Sequence, residues 1–328
     1  MMNMKKRLAI ILAAVMVLTC LFGCGASGKA QAGKTGVKIL VSVSRMDTFR
    51  QMLAEAVQSK ALEAGAQADL YDAEGSIENQ VEHMKMALTG GYDVIICLPV
   101  NTDTVVELKA SAGDIPIIFC NSCPEENQLQ AGKYVYVGSS EQVAGQYQAE
   151  YVLDKFSGKD EINVAILTGE PGHSAAVGRT RGVKKALNDS GKQINYVFED
   201  TGVWDTGKAK ELMQILLKTG VPVDCVLCNN DSMALGVVEA CKEAGIDLSA
   251  VPVLGVDATA EGCAAIEAGD MAFTVYQSGT GQGEAAIEYA LRIANGQSVK
   301  DVEGITEDGL YVWVPFVKVD STNVSSYK

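Results

Sequence analysis

Nine side chains scattered between residues 47 and 277 share one chemistry. Asp47, Asn121, Asn230, Asp257 and Gln277 carry planar carboxylates or amides, Arg179 a planar guanidinium and His173 an imidazole. Phe49 and Trp204 add flat apolar rings. A planar polar group can meet two neighbouring hydroxyls at once. An aromatic face can pack on the C–H side of a saturated ring. The set therefore suits a small polyhydroxylated ring held by charge-assisted hydrogen bonds, each contributing roughly 1.5–3 kcal/mol. Covalent catalysis fits poorly, because no nucleophile–base pair stands out and the only histidines are His83 and His173. Gly279, Gly281 and Gly283 are spaced GxGxG rather than GxGxxG, so they read as turn and helix-start glycines, not a dinucleotide cradle. Plainer roles stand beside these. Asp47 and Asp205 equally suit helix N-caps, Trp204 the core, and Arg179 a solvated helix face. His83 is given no role.

The elements give the nine residues their meaning. From residue 37 apolar runs alternate with helix-period stretches. Strands are expected over 37–43, 68–71, 93–98, 115–120 and 134–137, with helices over 48–64, 77–88 and 103–112. A helix over 142–156 then restarts the rhythm. Strands follow over 163–167, 195–199, 224–228, 251–256 and 271–276, separated by helices over 175–189, 207–218, 233–244 and 260–268. A helix over 282–294 and an extended run over 311–319 close the chain. Repeated strand–helix units build parallel sheets covered on both faces. Two such sets imply an α/β fold of two doubly wound lobes. Ligands of these sheets collect outside the carboxyl ends of the strands. The nine residues fall just after such ends, or in Arg179's case one to two turns into the next helix.

The N-terminus speaks to location. Lys5, Lys6 and Arg7 precede an apolar run over 8–22, too short to span a bilayer comfortably and shaped like a secretory signal peptide. The run ends in Leu21-Phe22-Gly23-Cys24, which resembles a lipobox and implies lipidation at Cys24. A retained membrane helix fits less well, since polar residues begin directly after Cys24. Residues 25–36 hold no large apolar side chain and are expected to form a flexible tether. The expectation is an extracytoplasmic body, lipid-anchored to the cell membrane. With 27 Lys and Arg against 41 Asp and Glu, the formal charge is -14. Such a chain is repelled by nucleic acid and anionic lipid, so no nucleic-acid partner is expected. Of nine cysteines, Cys120 with Cys123 and Cys225 with Cys228 have CxxC spacing. About a hundred residues separate the two pairs, far from the ligand spacing of zinc ribbons, so buried small hydrophobes are the expected role and no metal site.

These residues resemble the galactose/glucose-binding proteins of the ribose-type, or type I, periplasmic sugar-binding family, over nearly the whole chain after residue 36. The likeness rests on the run Gly-Glu-Pro-Gly-His at 169–173, Trp-Asp-Thr at 204–206, and Asn-Asn-Asp at 229–231 with Met-Ala-Leu-Gly at 233–236. Gly-Val-Asp at 255–257 and Val-Pro-Phe at 314–316 complete it. The resemblance implies Phe49 and Trp204 on the two faces of a monosaccharide. Asp47, Asn121, His173, Arg179, Asn230 and Asp257 would bond its hydroxyls, with Gln277 at a position filled by an amide. It implies a three-segment hinge near 138–140, 276–278 and 312–314, hence lobes of 37–139 with 277–312 and of 140–276 with 313–328. An ABC transporter permease is the implied partner and a monomer the implied state, with no cofactor. Two departures matter. The galactose-binding members carry an Asp two residues after that His, where this chain has Ala175; Arg181 matches an Arg of ribose-binding relatives. The calcium loop of those members corresponds to Ser157–Glu161, which lacks the ligand pattern, so no calcium is expected there. A sugar-sensing transcription regulator of related fold would need a helix-turn-helix and a basic face. A surface receptor acting on a membrane sensor stays open.

Overall fold

The computed structural model describes residues 36–327. The expected signal peptide, Cys24 and all but the last residue of the expected tether lie outside the described residues. The chain runs β1 (Lys38–Val43), α1 (Thr48–Glu63), β2 (Gln67–Asp72), α2 (Ile77–Gly90), β3 (Val94–Cys97), α3 (Val105–Ala112), β4 (Ile117–Cys120) and β5 (Tyr134–Gly138). It continues with α4 (Glu141–Lys155), β6 (Glu161–Thr168), α5 (Ser174–Asp189), β7 (Gln193–Thr201), α6 (Thr206–Thr219) and β8 (Cys225–Cys228). Then come α7 (Asp231–Glu243), β9 (Val253–Leu254), α8 (Ala260–Glu267), β10 (Phe273–Tyr276), α9 (Gly279–Ala294), β11 (Tyr311–Trp313) and β12 (Val317–Asp320).

The strands form two six-stranded sheets, ordered β11-β5-β4-β3-β1-β2 and β12-β10-β9-β8-β6-β7. The two orders repeat one plan, with β6 in the place of β1 and β12 in that of β11. Every pairing is parallel except β10 with β12. Every residue of β3, β4 and β8 is buried, as strands covered on both faces must be. Each sheet has an apolar cluster on both sides. On the first sheet, Leu53 and Val57 of α1 pack with Ile287 and Ala290 of α9, while Met84 of α2 and Leu108 of α3 fill the opposite face. The second sheet is covered by Val152 of α4 and Val183 of α5 on one face, and by Leu212 of α6 and Val237 of α7 on the other. The expected two-lobed, doubly wound fold is present.

Local chemistry sets where the helices begin. Side chains of Asp47, Ser76, Asp205, Asn230, Thr259 and Ser278 each accept a hydrogen bond from the helix they precede. Several helices pack unusually close because glycine faces a neighbour's backbone. In the α4–α5 pair, a Cβ on Gly145 would lie 2.0 Å from the Arg179 carbonyl oxygen, and one on Gly182 2.1 Å from that of Gln142. The expected run over 311–319 is instead two strands in different sheets. Pro315, which has no N–H to donate to a ladder, lies between them.

Candidate functional site

The loops after β1, β4, β6, β7, β8, β9 and β10 converge on a cleft of about 130 Å³. That is well below the roughly 300–1,000 Å³ of drug-sized pockets. All nine residues singled out above line it, together with Ala175 and Arg50. Asp47, Phe49 and Asn121 come from elements of the first sheet, and His173, Arg179, Trp204, Asn230 and Asp257 from elements of the second. Gln277 follows β10, where the chain passes from the second sheet to α9 on the first.

Among the described residues the backbone is strained chiefly here. Of the six described non-glycine residues with positive φ, five are Asn121, Val203, Trp204, Asp257 and Ala258, all in the cleft or beside a cleft residue. Such conformations cost about 1–3 kcal/mol each and persist where the surroundings over-determine them. Asn121, Trp204 and Asp257 among the five line the cleft themselves. The indole of Trp204 lies against Gly169, where a Cβ would come within 2.0 Å of the ring. The Trp204 and His173 rings meet edge to face at 5.3 Å.

Arg179 organises the floor. Its side chain is 4% exposed, and its Nε donates to Glu141 Oε2 at 2.6 Å. Nη1 donates to the Asn229 carbonyl at 2.6 Å and Nη2 to Gln277 Oε1 at 3.1 Å; Asp257 Oδ1 lies 3.5 Å from Nη1. The guanidinium is thus spent largely on the protein, and it orients Gln277 and Asp257. Burial pushes the Asp257 carboxyl up to about 8, against the pull of Arg179 and helped by the acids Asp231, Glu141 and Asp47. Asp231, wholly buried beneath, accepts from Thr274 Oγ1 at 2.6 Å and from the Thr259 N–H at 2.8 Å. Burial raises it too, to about 7.

His173 is engaged on both ring nitrogens. Nδ1 accepts from the Ala175 N–H at 3.2 Å, capping α5, so the proton sits on Nε2, which donates to Ser122 Oγ at 3.1 Å. A second hydrogen bond runs alongside, from the Cys123 N–H to Ser174 Oγ at 3.0 Å. Both join the loop after β4 to the start of α5, so the two halves of the cleft touch directly. Burial, then the nearby Arg50 and Arg179 cations, lower the basicity of His173 to about 4.

Other residues fall elsewhere. Asp205 caps α6 and is not among the cleft residues. Arg181 lines a separate groove of about 480 Å³ with Lys184 and Lys185 and is not among the cleft residues, so it does not replace the carboxylate missing at Ala175. His83 is buried against Ser42, its Nδ1 2.9 Å from the hydroxyl. None of the seven described cysteines forms a disulfide, and all but Cys123 are buried. Sequence reasoning missed two residues. Glu141 gave no signal, since an acid in the first turn of a helix is ordinary. Arg50 did: a cation in a first turn opposes the helix dipole.

Two α/β lobes whose facing strand ends share one small polar and aromatic cleft define a binding protein that holds its solute between lobes. Residues 38–298 match the periplasmic binding protein domain, and the chain belongs to that family of extracytoplasmic binding proteins. It is 30% identical over 99% of both chains to a putative rhizopine-binding protein of Rhizobium meliloti. It is 28% identical, over 86% of its own length and 88% of the relative's, to the D-galactose/methyl-galactoside binding periplasmic protein of Haemophilus influenzae. Among solved structures, an ABC transporter solute-binding protein of Bacillus halodurans with bound myo-inositol superposes with a TM-score of 0.77, at 31% identity, covering 90% of this chain and 98% of that one. The relatives are binding proteins, not enzymes, and this chain is one of them.

Proposed function

We propose that the protein captures one six-membered polyhydroxylated ring, a galactose- or glucose-like monosaccharide or a cyclitol of the same size, and delivers it to an ABC transporter permease. The observation that carries this reading is the small cleft with Phe49 and Trp204 among carboxylate and amide groups from both sheets. In this reading Asp47, Asn121, Asn230 and Asp257 meet the hydroxyls directly. Arg179 and Gln277 hold the floor, and His173 and Ser122 hold the lobes together. Lobes of 37–139 with 277–312 and of 140–276 with 313–328 turn on the three crossings between the sheets, and ligand touching both favours the closed form by its differential affinity. The cyclitol arm gains support from Ala175, which offers no acceptor where galactose-binding relatives place a carboxylate, and from the myo-inositol bound to the 31% identical structure. Lipidation at Cys24 tethers a monomeric body to the membrane.

The test is a thermal-shift panel on residues 37–328 with D-galactose, D-glucose, myo-inositol, D-ribose and xylitol. A bound solute at a hundredfold excess over its Kd stabilises by about 2.7 kcal/mol. A shift with galactose or glucose supports the monosaccharide, and a shift with myo-inositol alone supports the cyclitol. A well-folded protein that responds to none refutes the reading.

A further inference from the structure

Resting on the reading of the cleft as a polyol site, we propose that Arg50 contacts the ligand and sets its specificity. In this arrangement Arg50 donates its Nε–H to one oxygen carried by the ring while Asp47 accepts a hydrogen bond from a neighbouring hydroxyl. Arg50 lines the cleft from the first turn of α1, one residue beyond Phe49. Its Nη1 pairs with Asp47 Oδ2. Its Nε is buried from water and has no hydrogen-bond partner in the protein. A buried charged donor left unmet is costly, and so is a cation at the positive end of a helix. Both costs fall away when an acceptor enters the cleft beside it.

Asp47 complements this. Oδ1 accepts from the Arg50 N–H at 2.8 Å and Oδ2 takes the guanidinium, so each oxygen keeps a lone pair for a ligand hydroxyl. Asp47 takes the backbone N–H and Nη1 of Arg50 but not its Nε–H, and the other side chains at this edge do not meet it either. His173, close enough for Arg50 to depress its basicity, has both nitrogens engaged, and Ala175 has no polar atom to offer. The ring position facing Arg50 must therefore carry an acceptor oxygen, as a hydroxyl or an ether. A deoxy ring loses the contact, and a ring with a protonated amine there meets a cation.

Isothermal titration of wild type, Arg50→Met and Arg50→Lys with the tightest solute of the panel tests this. Loss of one charge-assisted bond should weaken binding in Arg50→Met by roughly 10- to 100-fold. The unliganded melting temperature should hold or rise, because the unmet donor is gone. Arg50→Lys, which keeps the charge but not the forked Nε–H, should also bind less tightly than wild type. It decides the matter if the Met variant fails to fold. Equal affinity in wild type and either variant overturns the proposal and leaves the polyol reading standing. A wild-type protein that binds nothing in the panel overturns both.

Discussion

Replacing Arg179 with Met tests the central claim that one buried guanidinium holds the cleft floor. Arg179 and Glu141 are 4% and 7% exposed at the side chain and lie 2.6 Å apart. The same guanidinium serves the Asn229 carbonyl at 2.6 Å and Gln277 at 3.1 Å, and faces Asp257 at 3.5 Å. Methionine fills much of the volume but leaves the two acids without their counter-ion and a carbonyl without its donor. Removing one partner of a buried pair costs about 3–5 kcal/mol. At about 2–4 °C per kcal/mol for a body of this order of size, the melting temperature should fall by roughly 6–20 °C near pH 7.5. Adding Glu141→Gln to Arg179→Met should restore part of the loss, because the amide carries no charge to strand. The deficit should also depend on pH. Asp257 already has its carboxyl raised to about 8 by burial, with Arg179 pulling the other way, so losing the arginine raises it further. An acid raised in the folded state contributes stability that is complete below its unfolded value of about 3.9 and is lost as pH climbs through the folded value. The variant should therefore lie closer to wild type at pH 5 than at pH 9, by about 1.4 kcal/mol. Urea unfolding followed by far-UV circular dichroism measures both effects. A loss under 1 kcal/mol, or one equal at both pH values, would refute the reasoning.

Two other outcomes follow from the geometry. His173 is lowered to about 4 by burial and by Arg50 and Arg179, so its contribution is complete above about 6.5 and is lost as pH falls toward 4. At pH 5 this amounts to about 2 kcal/mol, and His173→Asn, which keeps a capping acceptor without titrating, should flatten that limb of a melting-temperature profile. At the α4–α5 contact, Gly182→Ala pushes a methyl to 2.1 Å from the Gln142 carbonyl and should cost about 2–3 kcal/mol in urea unfolding. Gly158→Ala, with nothing within 4 Å, should stay within about 0.5 kcal/mol.

The fold was legible because its strands and helices carry distinct apolar periods. Runs such as Val94–Cys97 and Ile117–Cys120 are buried on both faces, and most of the helices open on a side chain that caps them. The candidate cleft was legible for a related reason, since strand ends are where such sheets expose polar groups, and all nine residues line one cleft. Other features depend on distances that no local pattern encodes. The Arg179–Glu141 pair joins two helices through their packing, and the engagement of His173 depends on Ser122 arriving from the other sheet. That Arg181 faces away from Arg179 was legible as well. Two residues beyond Arg179 on a helix is about 200° of rotation, so the two side chains cannot share one face.

The interleaving of the two sheets also sets an order of events as the chain leaves the ribosome or crosses a membrane. β1 to β5 emerge first, but the helix that covers one face of their sheet, Gly279–Ala294, arrives only after β6 to β10 have been made. Its last strand, Tyr311–Trp313, arrives later still. The lobe begun first is thus sealed only after most of the second has been made, and until then its apolar face around Val41, Ile96 and Ile118 stays open to water and to other chains. Any factor that escorts this protein before it is complete has that face to recognise.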